Sequence, residues 1–306
     1  MVSTPVLFET FARPDYARQA FDAIKKAQPR SLYFYSNKAR TDRPDEVKRN
    51  EEIRAFVKEI DWECDLHTFF RDEYVDVFTS LWGSLDWFFN NVEEGIVLEE
   101  DCVASLAFFD YCDKLLPQYR DNKRIRLISG DNFTPEFSPK GYDYFFSRYM
   151  HIYGWASWND RWKKMDRVMD LWPKIKESNL KTYFVHFLPW AYYNFILGQT
   201  YKKPHNTKSW DSVTLYDMIR NDEYAIVPAV NLVDDIGNIG ANAIVDAGLR
   251  VLEKYDNNTY PIETYPAKID AIDSYDYKHF KRHILKGFFD YQIRKYWHII
   301  FKNKNS

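Results

Sequence analysis

Along the first half of the chain, short apolar runs suited to buried strands alternate with stretches whose apolar residues recur at helical spacing. The expected strands are Val6–Phe11, Ser31–Ser36, Cys64–Phe70 and Gly95–Leu98. The intervening helices run from Pro14 to about Lys26, from Glu51 to Ile60 and from Val77 to Val92. Pro14 suits a first helical turn, and Ser105 is a fair cap for a helix over Leu106–Leu116. Ile125–Ser129 and Tyr144–Ser147 read as further strands. Four strand–helix units predict an α/β fold with a mostly parallel sheet and right-handed crossovers.

The second half is less regular. Asp160–Asp170 and Leu180–Leu197 read as helices rich in aromatics, His205–Trp210 as a polar loop, Ser212–Arg220 as a helix and Ala225–Leu232 as a late strand. No repeat, low-complexity tract or linker divides the chain. The expectation is one domain over residues 1–270 and an extension over 271–306.

One strand ends abruptly in charge. Ile96-Val-Leu98 runs into Glu99, Glu100 and Asp101. A strand that ends in acids sets them at the carboxyl edge of a sheet, where open α/β folds bind ligands. Three adjoining acids repel one another unless a cation or donor hydrogens compensate them. The plainer alternative is a solvated acidic turn. Arg13 follows the first strand at the same edge, where its rigid fork of donors can hold a base or phosphate.

Composition narrows the field. Of 306 residues, 18% are aromatic, including 23 Tyr, 23 Phe and 10 Trp; such rings build cores but also offer flat faces to sugars and bases. The net charge of −3 argues against a general nucleic-acid binder. Cys64, Cys102 and Cys112 lack zinc-ligand spacing and suit a reducing compartment. With no signal-peptide pattern and no run of ~18 apolar residues, the sequence reads as cytoplasmic. Neither a P-loop nor a GxGxxG occurs, which disfavours kinases and dinucleotide enzymes.

The order Phe11-Ala-Arg-Pro-Asp15, Trp87-Phe-Phe89, Gly95 to Cys102, Ile128-Ser-Gly130, Phe146-Ser-Arg-Tyr149, Gly154-Trp-Ala-Ser-Trp158 and Pro228-Ala-Val-Asn-Leu232 resembles bacterial nucleotide-diphospho-sugar transferases over about residues 5 to 240. These are GT-A-fold, family 2-like glycosyltransferases, some labelled haemolytic-protein-like. The resemblance implies a GT-A-type, Rossmann-like mixed sheet flanked by helices, with a nucleotide-binding half over 1–130 and an acceptor-binding half over 131–270. It also implies metal-dependent, inverting transfer from a UDP-sugar to a hydroxyl of a surface glycan such as lipopolysaccharide. The family's usual Leu-Glu-Asp-Asp-Cys is Leu98-Glu-Glu-Asp-Cys102 here, so the middle acid is a carbon longer.

By the same resemblance Asp101 is the direct ligand of Mn²⁺ or Mg²⁺, hard cations that favour oxygen. Glu100 lies near the ribose or a metal-bound water, Glu99 near the donor sugar, and Asn37 faces the base; a turn residue is the alternative for Asn37. Asp211, in Ser209-Trp-Asp-Ser212, is the implied base, with a helix cap as its rival. Gly154 allows close backbone approach, and Trp155 or Trp158 could floor a sugar site, although at least one is expected in the core. His67 and His186 read as structural, and His151 is noted as a neighbour of the aromatic segment. Family members continue after Asn-Leu with a Thr-His-Thr stretch, where this chain has Ile239-Gly-Ala-Asn-Ala-Ile244 and no His.

From Lys278 to Lys304 apolar residues recur at helical spacing among eight Lys or Arg and the single acid Asp290. Such a basic amphipathic helix can lie on an anionic membrane surface or pack on the domain; a lipid-linked glycan acceptor fits the first. Two alternatives to glycosyl transfer stand: a nucleotidyltransferase, and a non-catalytic glycan-binding or scaffold protein retaining the fold.

Overall fold

A computed structural model describes residues 2–237 and 254–287. Its strands are β1 (Val6–Thr10), β2 (Ser31–Ser36), β3 (Asp65–Phe70), β4 (Glu94–Glu99), β5 (Cys102–Ala104), β6 (Ile125–Ser129), β7 (Tyr144–Ser147), β8 (Trp155–Trp158), β9 (Tyr224–Pro228) and β10 (Val233–Asp235). Its helices are α1 (Pro14–Ala27), α2 (Pro44–Arg54), α3 (Val77–Asn91), α4 (Leu106–Tyr119), α5 (Asn159–Lys163), α6 (Trp172–Ile175), α7 (Asn179–Tyr183), α8 (Phe187–Lys202), α9 (Trp210–Asn221) and α10 (Asp273–His279).

Eight strands form one sheet in the order β3-β2-β1-β4-β8-β6-β9-β7. β1, β2, β3 and β4 are mutually parallel, and β6 and β9 run with them; β8 and β7 are antiparallel. This is the α/β, mostly parallel mixed sheet expected from the alternation of strands and helices. β1, β6 and β9 are buried at every position, as strands covered on both faces must be. β3, the edge strand, is the most exposed.

Local signals set the helix starts. Pro14 opens α1, the Asp76 carboxylate accepts from the backbone N–H groups of Phe78 and Thr79 at the head of α3, and Ser105 Oγ accepts from Phe108 N at the head of α4.

Tertiary contacts revise several boundaries. The helix expected at Glu51–Ile60 begins earlier, at Pro44, and ends as a 3₁₀ turn over Ala55–Glu59. The helix expected over Asp160–Asp170 is only the short α5. The chain then turns where Asp166 Oδ1 accepts from Met169 N and Met169 adopts φ +65°. Leu180–Leu197 is two helices, because Tyr183 anchors its hydroxyl on the carbonyl of Glu223 and His186 is extended. The aromatic segment hides a strand: β8 lies antiparallel between β4 and β6.

The C-terminal stretch starts inside the domain. Asp276 of α10 accepts from Ser147 Oγ and from Arg148, and Phe280, in the following π-helical turn, is fully buried against Tyr149, Tyr192 and Tyr193. The rest of the expected basic helix, from residue 288, lies outside the described residues, as does Ile239–Ile244. Among the described residues no helix is long and apolar enough to cross a membrane.

At the amino end of β6 the Arg126 guanidinium is buried and donates to Asp217 of α9 (2.8 Å), Glu223 (2.5 Å) and the carbonyl of Arg161. Replacing Arg126 with Ala leaves the Glu223 carboxylate without its cation and Asp217 with Arg220 alone, a loss of about 3–5 kcal/mol by comparison with other broken buried pairs. Urea unfolding should show the drop as a lower midpoint.

Candidate active site

The chain steps outward from β1 to β2 to β3 and then returns to place β4 on the other side of β1. The carboxyl ends of β1 and β4 therefore flank the switch point of the sheet, where a crevice opens between diverging connections. Arg13 follows β1 and Glu99–Asp101 closes β4, so four of the residues expected at the site meet in that crevice.

Arg13 clasps two of the acids. Its Nε donates to Glu100 Oε1 at 2.6 Å and its Nη2 to Asp101 Oδ2 at 2.9 Å. Glu100 is buried and its other oxygen accepts from Phe11 N at 2.7 Å. Burial raises the Glu100 carboxyl, and Arg13 pulls it back. Burial also works against the charge on Arg13, and Asp101 and Glu100 more than offset it.

Two further carboxylates, not singled out from the sequence, complete the cluster. Glu9 stands in register with Glu99 across the β1–β4 pair. It is buried and accepts a hydrogen bond from Ser84 Oγ. Burial pushes its carboxyl to about 7 against the pull of that hydroxyl. Glu99 is pushed well above the ordinary range by burial, then by Asp101 and Glu9. Asp235 enters from β10, which pairs antiparallel with β5 so that Asp235 faces Cys102; Ile236 N donates to the Asp101 carbonyl at 3.0 Å. Burial and then the Asp101 charge lift Asp235 to about 7. Glu9 was legible as a lone acid in an apolar strand. Asp235 was not, because its place depends on a two-stranded pairing across more than a hundred residues.

Two glycines let that second sheet approach. Gly154 has φ +70°, and its carbonyl accepts from Gly130 N at 2.7 Å. A Cβ on either residue would press on Val233 of β10. Gly237 packs directly against the Asp101 carboxylate, with no space for a side chain.

Two other residues expected at the site have their partners within the fold. Asn37 is buried with its amide committed to backbone: Nδ2 donates to the Val75 carbonyl, and Oδ1 accepts from Lys38 N. It holds the turn after β2, the alternative role that the sequence left open. Trp155 is 3% exposed and stacks on Trp210 at 5.0 Å, so it presents no face to a sugar; Trp158 is likewise core.

Asp211 sits in the first turn of α9, one residue inside Trp210, so the cap position belongs to Ser209. The Asp211 side chain lines a cavity of about 250 Å³ shared with Tyr149–Tyr153, α8 and the C-terminal turns. A single loop joins cavity and crevice. Asp131, just after β6, adds to the charge that raises Asp235, while its own carboxylate accepts from Tyr153 N and faces His151 Nδ1 at 3.2 Å.

Among the described residues no three His, Cys, Asp or Glu side chains converge as a ready-made metal cage. The donor set instead fits a cation that keeps several non-protein ligands: hard carboxylate oxygens of Asp101 and Asp235, mutually repelling, in an acid-rich crevice. Magnesium-type sites use one or two carboxylates plus substrate phosphates in this way.

No protein-family model matches the chain, and no curated protein does. Solved structures similar to it include HddC from Yersinia pseudotuberculosis, at 9% identity over 51% of this chain and 77% of that one, TM-score 0.32. Others are an apo UDP-glucose pyrophosphorylase, at 9% identity over 74% and 90%, TM-score 0.36, and apo GlyE, a glycosyltransferase of Streptococcus pneumoniae TIGR4, at 12% identity over 74% and 45%, TM-score 0.32.

Glu9 supplies a pH test. Its folded pKa, about 7, lies above the ordinary 4.5, so the folded state holds a proton that the unfolded state gives up in between. Its contribution is fully present below pH 4.5 and is lost as pH rises through 7. Glu9→Gln keeps the shape and stays neutral; it should match the parent near pH 4.5 and exceed it at pH 8 by on the order of 1–3 kcal/mol. Chemical denaturation at both pH values measures the difference.

Proposed function

We propose that the protein is a metal-dependent glycosyltransferase that moves a sugar from a nucleotide-diphospho-sugar, a UDP-sugar, to a hydroxyl of a glycan acceptor with inversion. The observation that carries this reading is the excess of carboxylates over Arg13 at the switch point, beside an aromatic cavity holding a further carboxylate, Asp211. Such an excess calls for a cation, and a diphosphate is the ligand that brings one.

Asp101 and Asp235 would hold Mn²⁺ or Mg²⁺, which when bound acts as a Lewis acid toward the departing diphosphate. Arg13 has two partners and can exchange one of them: Nε stays on Glu100 while Nη2 turns from Asp101 to a phosphate oxygen. Glu100, fixed by Phe11 N, keeps the guanidinium at the crevice throughout. Glu99, whose carboxyl burial and its neighbours push upward, would face the donor sugar. Asp211 takes the acceptor's proton as that oxygen attacks the anomeric carbon; the bond to the diphosphate breaks, and its electron pair leaves with the nucleoside diphosphate.

The Arg13–Asp101 ion pair favours a second reading, a glycan-binding protein whose crevice is closed by its own arginine. Turnover separates the two. With a panel of nucleotide-sugars, one donor plus Mn²⁺ should raise the melting temperature, because a ligand that binds only the folded state stabilises it. That donor should then be transferred or hydrolysed. Asp101→Ala should abolish both effects. Asp211→Asn should lower kcat by roughly 10²-fold or more, as expected for loss of a general base, while the donor still shifts the melting temperature. A chain that binds glycans but turns over no donor would establish the second reading.

A further inference from the structure

The cavity beside the acid site is lined by His151 and Asp211, and each carries a buried polar atom without a hydrogen-bond partner, His151 Nε2 and Asp211 Oδ1. His151 is 3% exposed. Its imidazole is held from behind, with Nδ1 facing Asp131 Oδ2, while Asp131 Oδ1 accepts from Tyr153 N. A carboxylate oxygen can only accept, so the ring nitrogen that faces it, Nδ1, carries a proton; in the Nδ1–H tautomer Nε2 is an acceptor. Asp211 Oδ1 is an acceptor too. An unsatisfied buried acceptor costs about 1–3 kcal/mol, and two in one cavity of about 250 Å³ call for a ligand bearing two donors.

The walls narrow the class. Phe133, Tyr149, Tyr153 and Tyr193 contribute aromatic surface to the lining, the kind on which the C–H face of a sugar ring packs. An anionic ligand would meet the Asp211 carboxylate unfavourably. The volume falls below the ~300–1,000 Å³ of drug-sized sites and suits one ring at a time.

We propose that this cavity is the acceptor subsite and binds a neutral saccharide through two hydroxyls, one donating to Asp211 and the other to His151 Nε2. Asp131 is a positioning residue that sets the tautomer and angle of His151. The inference rests on the transfer reading for the word acceptor, though not for the binding itself. His151 adds no covalent step; it accepts a hydrogen bond and so fixes which hydroxyl is presented to Asp211.

The test uses the full chain without donor and a panel of methyl glycosides: glucoside, galactoside, mannoside, rhamnoside and N-acetylglucosaminide. Calorimetry should show at least one binding at millimolar strength, and ethanolamine, a donor-bearing cation without a ring, should not. His151→Ala and Asp211→Ala should each weaken that glycoside by roughly tenfold or more, the scale of one lost hydrogen bond. Binding of UDP with Mn²⁺ should be unchanged in both. In ¹⁵N spectra of the parent, the bound glycoside should shift His151 Nε2 with Nδ1 still protonated. Asp131→Asn should disturb that tautomer signature and raise the acceptor KM more than it lowers kcat. No glycoside binding, or binding without a His151 Nε2 shift, would overturn the proposal even where UDP binds. Glycoside binding without any nucleotide binding would leave the cavity assigned and remove the transfer reading instead.

Discussion

Like charges gathered at one point of the sheet govern this molecule. β1 and β4 must lie side by side for the parallel core to form, and their register sets Glu9 against Glu99. The turn after β4 then adds Glu100 and Asp101, and β10 delivers Asp235. No solvent shell can compensate this many acids in a half-buried crevice. The chain answers with Arg13 on Glu100 and Asp101, with the Ser84 hydroxyl on Glu9, and with protons retained toward neutrality on Glu9 and Asp235. The rest of the site follows from that answer, because these compensations fix where Arg13, Glu100 and Asp101 stand.

The loop after β6 carries the crevice into the neighbouring cavity. Asn132 is fully buried; its N–H donates to Asn231 Oδ1 and its Nδ2 to the Pro228 carbonyl. Asp131, one residue earlier, is therefore rigidly placed between Asp235 and His151. Burial raises the Asp131 carboxyl while His151 lowers it. Burial keeps the nearby His279 and His283 rings neutral, with His283 depressed to about 4. The cavity thus sets the two neutral rings of His279 and His283 and several aromatic side chains around the Asp211 carboxylate.

The aromatic richness of the chain divides unequally between these regions. Trp155, Trp158, Trp162 and Trp210 are all buried, and three of them pack on one another and on Phe89. The rings that face the cavity come instead from Tyr residues of the β7–β8 connection and α8.

Much of the first half was legible in the sequence, because strands covered on both faces read as apolar runs and helices announce themselves with Pro14 and Ser105. The acid triplet and Arg13 were legible as well, since both lie within a residue or three of a strand end and the edge they occupy follows from strand direction. For Asn37 and Trp155 the sequence left alternatives open: position relative to a strand says where a side chain starts, while its partners, Val75 and Trp210, come from elsewhere in the chain. The strand β8, the pairing of β10 with β5, and the meeting of Asp235, Asp131 and His151 were decided only by the tertiary structure. Local sequence determines backbone preference over a few neighbouring residues, but the proton held by a carboxylate and the partner left to an imidazole depend on groups brought near by long-range packing.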